Sequence, residues 1–144
     1  MAYPLRMLLH KDGLIELKYD VVQDILFLRW PDMSGMTMPE IEFSLKKLID
    51  TLRHYDIKNL LIDSRESKAD LDKEEHRALM LRFSEYLTST RLKKMARLAT
   101  TDLHRENVVD HAVEEATNRL GITFEFRNFA DEAGALKWIR EDQN

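Results

Sequence analysis

The chain has 144 residues, 44% hydrophobic and 33% charged, with a net charge of −4 and no cysteine. That length and balance fit one globular domain with a real core and exclude a disordered chain. The acidic balance argues against broad nucleic-acid binding, the missing cysteine excludes disulfides, thiol nucleophiles and cysteine metal sites, and no apolar run approaches the roughly 20 residues of a membrane span.

The first residues, Met1 to Lys11, carry only a short apolar patch, Met7-Leu8-Leu9, too short for a secretory core. The expected location is the cytoplasm. Leu14–Tyr19 alternates, with Ile15, Leu17 and Tyr19 on one side and Leu14, Glu16 and Lys18 on the other, which predicts a half-buried strand. Val21–Trp30 is a second strand, with Asp20 in the gap of a tight antiparallel hairpin. Pro31 to Gly35 breaks it. Thr37 with Glu40 makes a capping box, with Pro39 in the first turn of a helix whose apolar face is Ile41, Leu45, Leu48, Ile49 and Leu52. That helix should end near His54 and Tyr55.

Leu60-Leu61-Ile62 is an unbroken aliphatic run, the pattern of a strand buried on both faces inside a parallel sheet. A polar loop, Ser64 to Leu71, leads to a helix capped by Asp72 with Glu75, whose inner face is Leu79, Phe83, Tyr86 and Leu87. Ser89 to Lys94 is a basic connector, and Lys94–Thr100 is the next strand. Thr101 or Asp102 caps a third helix, ended by Gly121 as a left-handed glycine. Ile122–Phe129 alternates like an edge strand, and Asp131 caps a last helix with Ala135, Leu136, Trp138 and Ile139 inward. The order ββαβαβαβα implies one α/β domain over residues 1–144, with parallel crossovers.

This pattern resembles the SpoIIAA-like, or STAS, domains, which are also compared with CRAL-TRIO lipid-binding domains. The residues that carry the resemblance are the two opening strands, the Leu60-Leu61-Ile62-Asp63 strand, Ala96-Arg97-Leu98-Ala99-Thr100, and the closing Ile122–Arg127 strand with the Asp131–Ile139 helix. The resemblance implies a five-stranded mixed sheet with helices mainly on one face, acting as a non-enzymatic regulatory or protein-interaction module. Relatives of this kind are switched by phosphorylating a Ser in an Asp-Ser-(Ser/Thr)-Gly-Leu motif. The equivalent stretch here, Lys68 to Glu75, has no Ser, Thr or Gly, although Ser64 and Ser67 lie earlier in the loop.

Strand ends are where open α/β sheets place ligand groups. The candidate crevice is therefore Asp63, Ser64 and Arg65 beside Thr100, Thr101, Asp102, His104 and Arg105, if those strands are neighbours. A carboxylate, hydroxyls, guanidinium groups and a helix N-terminus suit an anionic or polar ligand. The same residues equally serve as loop and helix caps. Trp30, Met33, Met36 and Met38 form a candidate apolar contact region for a partner or a second copy, or else tuck under the first helix. Arg91, Lys93, Lys94 and Arg97 read as a basic patch, either for an acidic partner or lipid headgroup or as a solvated connector. His104 and His111 stand seven apart, not the usual four of zinc helices, so no metal and no cofactor is expected. No signature of catalysis appears. The alternative to the interaction module is a carrier of a small or lipid-like ligand, with an enzyme as the third reading.

Overall fold

The computed structural model describes residues 6–30, 36–65, 73–98, 121 and 124–141. The chain is α/β, with a six-stranded mixed sheet. In order, the elements are β1 (Arg6–Lys11), β2 (Glu16–Asp20), β3 (Ile25–Arg29), α1 (Met38–His54), β4 (Asn59–Asp63), α2 (Lys73–Leu87), β5 (Lys94–Leu98), β6 (Glu125–Phe129) and α3 (Glu132–Arg140). The strands lie in the sheet in the order they occur in the chain. β1, β2 and β3 are antiparallel, and β3 to β6 are parallel.

The expected sheet of five strands is corrected to six. The extra strand is β1, where the sequence shows only an apolar patch. Asp12-Gly13 makes its turn. The Asp12 carboxylate accepts the amides of Leu14 and Ile15 at 2.7 and 2.8 Å, and its own amide donates to the carbonyl of Ile15. β1 escapes a periodicity reading because its register slips between Leu8 and His10 and leaves Met7 and Leu8 exposed.

The next turn is also wider than expected. Asp20 belongs to β2, and Val21 to Asp24 form the loop. Asp20 turns the chain by accepting the amides of Val22 and Gln23, both at 3.0 Å. Asp24 has φ 56°, and its carboxylate accepts the Tyr19 hydroxyl at 2.7 Å. Valine favours strands, yet Val22 is 89% exposed at the tip.

α1 follows the sequence closely. Thr37 and Glu40 close a reciprocal capping box, Pro39 sits in the first turn, and Ile41, Leu45, Leu48, Ile49 and Leu52 are buried. In α2, Leu79, Phe83 and Leu87 are buried, but Tyr86 is 46% exposed, which corrects its place on the inner face. Glu42 of α1 and Arg82 of α2 form an ion pair between the helices. Asp72 and the expected helix after Thr100 lie outside the described residues. Gly121 has φ 61°, a conformation glycine takes at little cost. Asp131 caps α3 by accepting the Gly134 amide at 2.8 Å, and Ala135, Trp138 and Ile139 are buried.

Two cores result. Leu17, Leu26, Leu28, Leu60 and Ile62 face α1 and α2. Ile25, Phe27, Leu61, Ala96 and Leu98 face α3 on the other side. The Leu60–Ile62 run is thus buried on both faces, between β3 and β5. Of the described helices, two cover one face and one the other.

Candidate functional site

β4 and β5 are parallel neighbours, with Asp63 opposite Leu98. The ends of these two strands are therefore adjacent as far as Leu98. Asp63, Ser64 and Arg65 are described. Thr100, Thr101, Asp102, His104 and Arg105, and with them Ser67 and His111, lie outside the described residues.

The three described strand-end residues are largely occupied with one another and with the backbone. Ser64 is 1% exposed, and its hydroxyl donates to the Leu98 carbonyl at 2.7 Å, so it braces β4 against β5. Arg65 grips Asp63 through Nε at 3.0 Å and Nη2 at 2.9 Å, and its amide donates to the same carboxylate at 3.1 Å. The Arg65 side chain, ahead of an opposing burial effect, holds the Asp63 carboxyl below its ordinary range, so Asp63 stays ionised at neutral pH.

Asp63 also lines a cleft of about 180 Å³ on the α3 face of the sheet. α3 lies over β5 and β6. Among the described residues, no helix lies over the part of this face beyond the α3 N-terminus, where the cleft sits. The apolar lining is Phe27, Leu28, Leu61 and Leu98, and the charged lining is Arg6, Glu16, Lys18, Arg29, Asp63 and Glu132. Sheet register explains the assembly. Lys18, Phe27 and Leu61 are cross-strand partners, and Arg29, Asp63 and Leu98 form the row beside them. With side chains alternating along each strand, all six point to one face.

Most of the cleft charges are paired. Arg6 binds Glu132 at 3.0 Å and lies 3.7 Å from the centre of the Phe27 ring. Lys18 binds Glu16 at 3.0 Å, and this contact is the foremost cause of the lowered Glu16 pKa. Asp63 is held by Arg65. The Arg29 guanidinium makes no hydrogen bond or ion pair among the described residues, though its charge helps to keep Asp63 and Glu16 ionised.

A second polar cluster is closed. Asp12 accepts His10 Nε2 at 2.8 Å and the Ser44 hydroxyl at 3.1 Å besides its two amides. Burial pushes its pKa up, but these hydrogen bonds outweigh that and bring it down to about 2. The cluster ties the β1–β2 turn to α1.

The apolar contact region is divided. Trp30 is 5% exposed and packs against Phe83 with ring centres 5.6 Å apart, so its side chain belongs to the core. Met36 and Met38 are half-buried against that core, and Met33 lies outside the described residues. The basic patch is likewise no patch. Lys94 and Arg97 are buried on opposite faces of β5. Lys94 donates to the Trp138 carbonyl at 2.8 Å, and Arg97 donates to Asn128 at 3.1 Å. Arg91 pairs with Asp56 at 3.2 Å.

Of the cleft residues, Asp63 alone stands out in the sequence as a candidate site residue. Glu16 and Lys18 carry a signal, since both fall on the outward side of an alternating strand. Arg6 and Glu132 carry none, being 126 positions apart.

Among the described residues there is no cluster of metal-binding side chains and no helix long and apolar enough to cross a membrane. Comparison with family models, curated proteins and solved structures found no match to the chain.

Proposed function

We propose that the chain is a SpoIIAA-like, STAS-type module without enzymatic activity. It acts in regulation by binding a partner protein or a second copy of itself in the cytoplasm, and it lacks the usual phosphorylatable motif. The observation that carries this reading is the charged cleft beside α3. There, among the described residues, six charged side chains ring a shallow cleft whose apolar base, Phe27, Leu61 and Leu98, is itself largely buried. Such a rim gives a partner surface its orientation and selectivity. The strand-end groups support binding over catalysis, since Ser64 is spent on the Leu98 carbonyl and Asp63 on Arg65.

The lipid-carrier reading is less well supported. Ligand pockets of that kind enclose roughly 300–1,000 Å³ behind mostly apolar walls. This cleft holds about 180 Å³, and six of its ten lining residues are charged. Native mass spectrometry of the purified chain tests the proposal. A bare dimer that Lys18→Glu weakens supports it. A monomer that retains a lipid-like molecule replaces it with the carrier.

A further inference from the structure

We infer that the outer edge of β1 is an interface with a second copy of this chain, formed by antiparallel pairing of the two β1 strands about a two-fold axis at Met7. This rests on the reading of the chain as an interaction module, and it assigns the contact with the second copy to β1, apart from the cleft.

Among the described residues, seven large apolar side chains are exposed, and five of them gather at one corner of the sheet. Met7 and Leu8 stand on opposite faces of β1, each 53% exposed. Met7 is the cross-strand partner of Tyr19, whose ring packs on that of Tyr55 with centres 6.2 Å apart. Val21 and Val22 follow Asp20, the partner of Arg6, so the β2–β3 turn flanks the same end of the strand. A gathering of this kind marks a contact surface, where single exposed residues do not. β1 also ends the sheet, so one side of its backbone has no partner strand among the described residues. β6 ends the other side, but its exposed positions are Glu125, Arg127 and Asn128, polar groups that discourage pairing. Among the described strands, a bare apolar edge occurs at β1 alone.

Charge selects the occupant. The basic side chains of β1 are matched within the chain, Arg6 by Glu132 at 3.0 Å, His10 by Asp12 at 2.8 Å and Lys11 by Glu16 at 3.9 Å. The edge therefore holds little attraction for a strongly acidic or basic strand. It suits one that is apolar where it meets Met7 and Leu8, and the first half of β1 is itself such a strand. The slip after Leu8 selects the register. With Met7 on the axis, Met7 meets its own counterpart and Arg6 lies opposite Leu8 of the second copy, each pair on one face of a continued sheet. His10 and Lys11 fall outside the paired segment. An axis at Leu8 would carry the pairing into the slip, where successive side chains no longer alternate. Pairing one patch with itself also closes at two copies. The paired segment is short, so the dimer is weak and its population rises with concentration.

The test exploits the absence of cysteine from the chain. A Met7→Cys protein under oxidising conditions should form a disulfide-linked dimer, since directly opposed residues of an antiparallel pair have Cα atoms about 4.5–5.5 Å apart, within reach of that bond. Leu8→Cys should link far more slowly, because the two Leu8 positions stand diagonally at about 7–8 Å. Phe43→Cys, on the exposed side of α1, should not link. Sedimentation velocity of the full chain over rising concentration should show a monomer–dimer equilibrium. Met7→Lys should weaken it about tenfold or more by setting two like charges opposite each other, and Lys18→Glu in the cleft should leave it unchanged. Equal linking at Met7, Leu8 and Phe43 would mean random collision and overturn the inference, and this arm does not depend on the lysine variant folding. A dimer lost in Lys18→Glu and kept in Met7→Lys would overturn it too, leaving a module that pairs through its cleft. A monomer at every concentration would overturn it and leave the module with a partner of another sequence.

Discussion

The two faces of the sheet are built from the same strands and come out differently. Toward α1 and α2, Leu26, Leu28, Leu60 and Ile62 meet two helices, and the layer is a large apolar core of aliphatic and aromatic side chains. Toward α3, Ile25, Phe27, Leu61, Ala96 and Leu98 meet one short helix among the described residues, and the area beside it is lined by charged side chains. The difference teaches where to look for function in this chain. A strand buried on both faces gives no hint of which cover is complete. The charges that interrupt the apolar alternation, Lys18, Arg29 and Asp63, share one parity across the register, and that parity marks the side that carries the charged cleft.

The strongest way to break the comparison uses two neighbouring residues. Leu60→Ala should destabilise the fold by about 3–5 kcal/mol, and Leu61→Ala by about 2–3 kcal/mol, because a void beside an open cleft relaxes more easily than one under two helices. Denaturant midpoints of the two variants measure the gap. Equal losses would mean that the α3 face is closed as tightly as the other.

A smaller effect tests how the helix face is held at its margin. Asp12 has a folded pKa of about 2, against an ordinary 3.8. Its stabilising contribution is therefore complete above about pH 4 and is lost as pH falls toward 2. Asp12→Asn should remove that acid-dependent component, leaving a flatter melting-temperature profile between pH 2 and 4. Asp12→Ala should cost about 1–2 kcal/mol at neutral pH through its lost amide partners. A profile in Asp12→Asn as steep as the parent's would move the acid sensitivity elsewhere.

The least effect is expected at the rim of the open face. Arg6→Gln removes the Glu132 pair and the contact over Phe27, both partly exposed. It should cost about 0.5–1 kcal/mol. A loss comparable to that of Leu61→Ala would show that the Arg6 side chain acts as a structural cover and not as a rim.

Much of this architecture can be read from local chemistry. The Thr37–Glu40 box, the apolar stripe of α1, the Leu60–Ile62 run and the Asp131 cap each state their structure within a few residues, because caps and periodicity are local. Readings failed where two local signals competed. Val21 and Val22 have strand propensity, but the Asp20 carboxylate accepts the turn amides of Val22 and Gln23 and sets the loop, while Asp24 ties it to Tyr19 and the Lys58 amide. In β1 the Asp12-Gly13 turn was present, yet the slipped register erased the alternation that would have marked the strand. Tyr86 sits at helical spacing from Phe83 and Leu79 and still faces outward, since its ring lies beyond the buried stripe. The cleft was the least legible part. Arg6, Arg29 and Glu132 meet only because β1 and α3 approach β3 from opposite ends of the chain.

The order of the strands has a consequence for how the molecule can be made. Each strand from β2 onward pairs with the one made just before it, and none is inserted between two earlier strands. As the chain lengthens, every new strand finds its template edge already formed, so the sheet grows in one direction only and never has to reopen. Domains are synthesised from the N-terminus, and unpaired edges are the aggregation-prone part of an unfinished sheet. In this order of assembly a single growing edge is exposed at any time, and α3, the last described element, closes over β5 and β6 when that growth is complete.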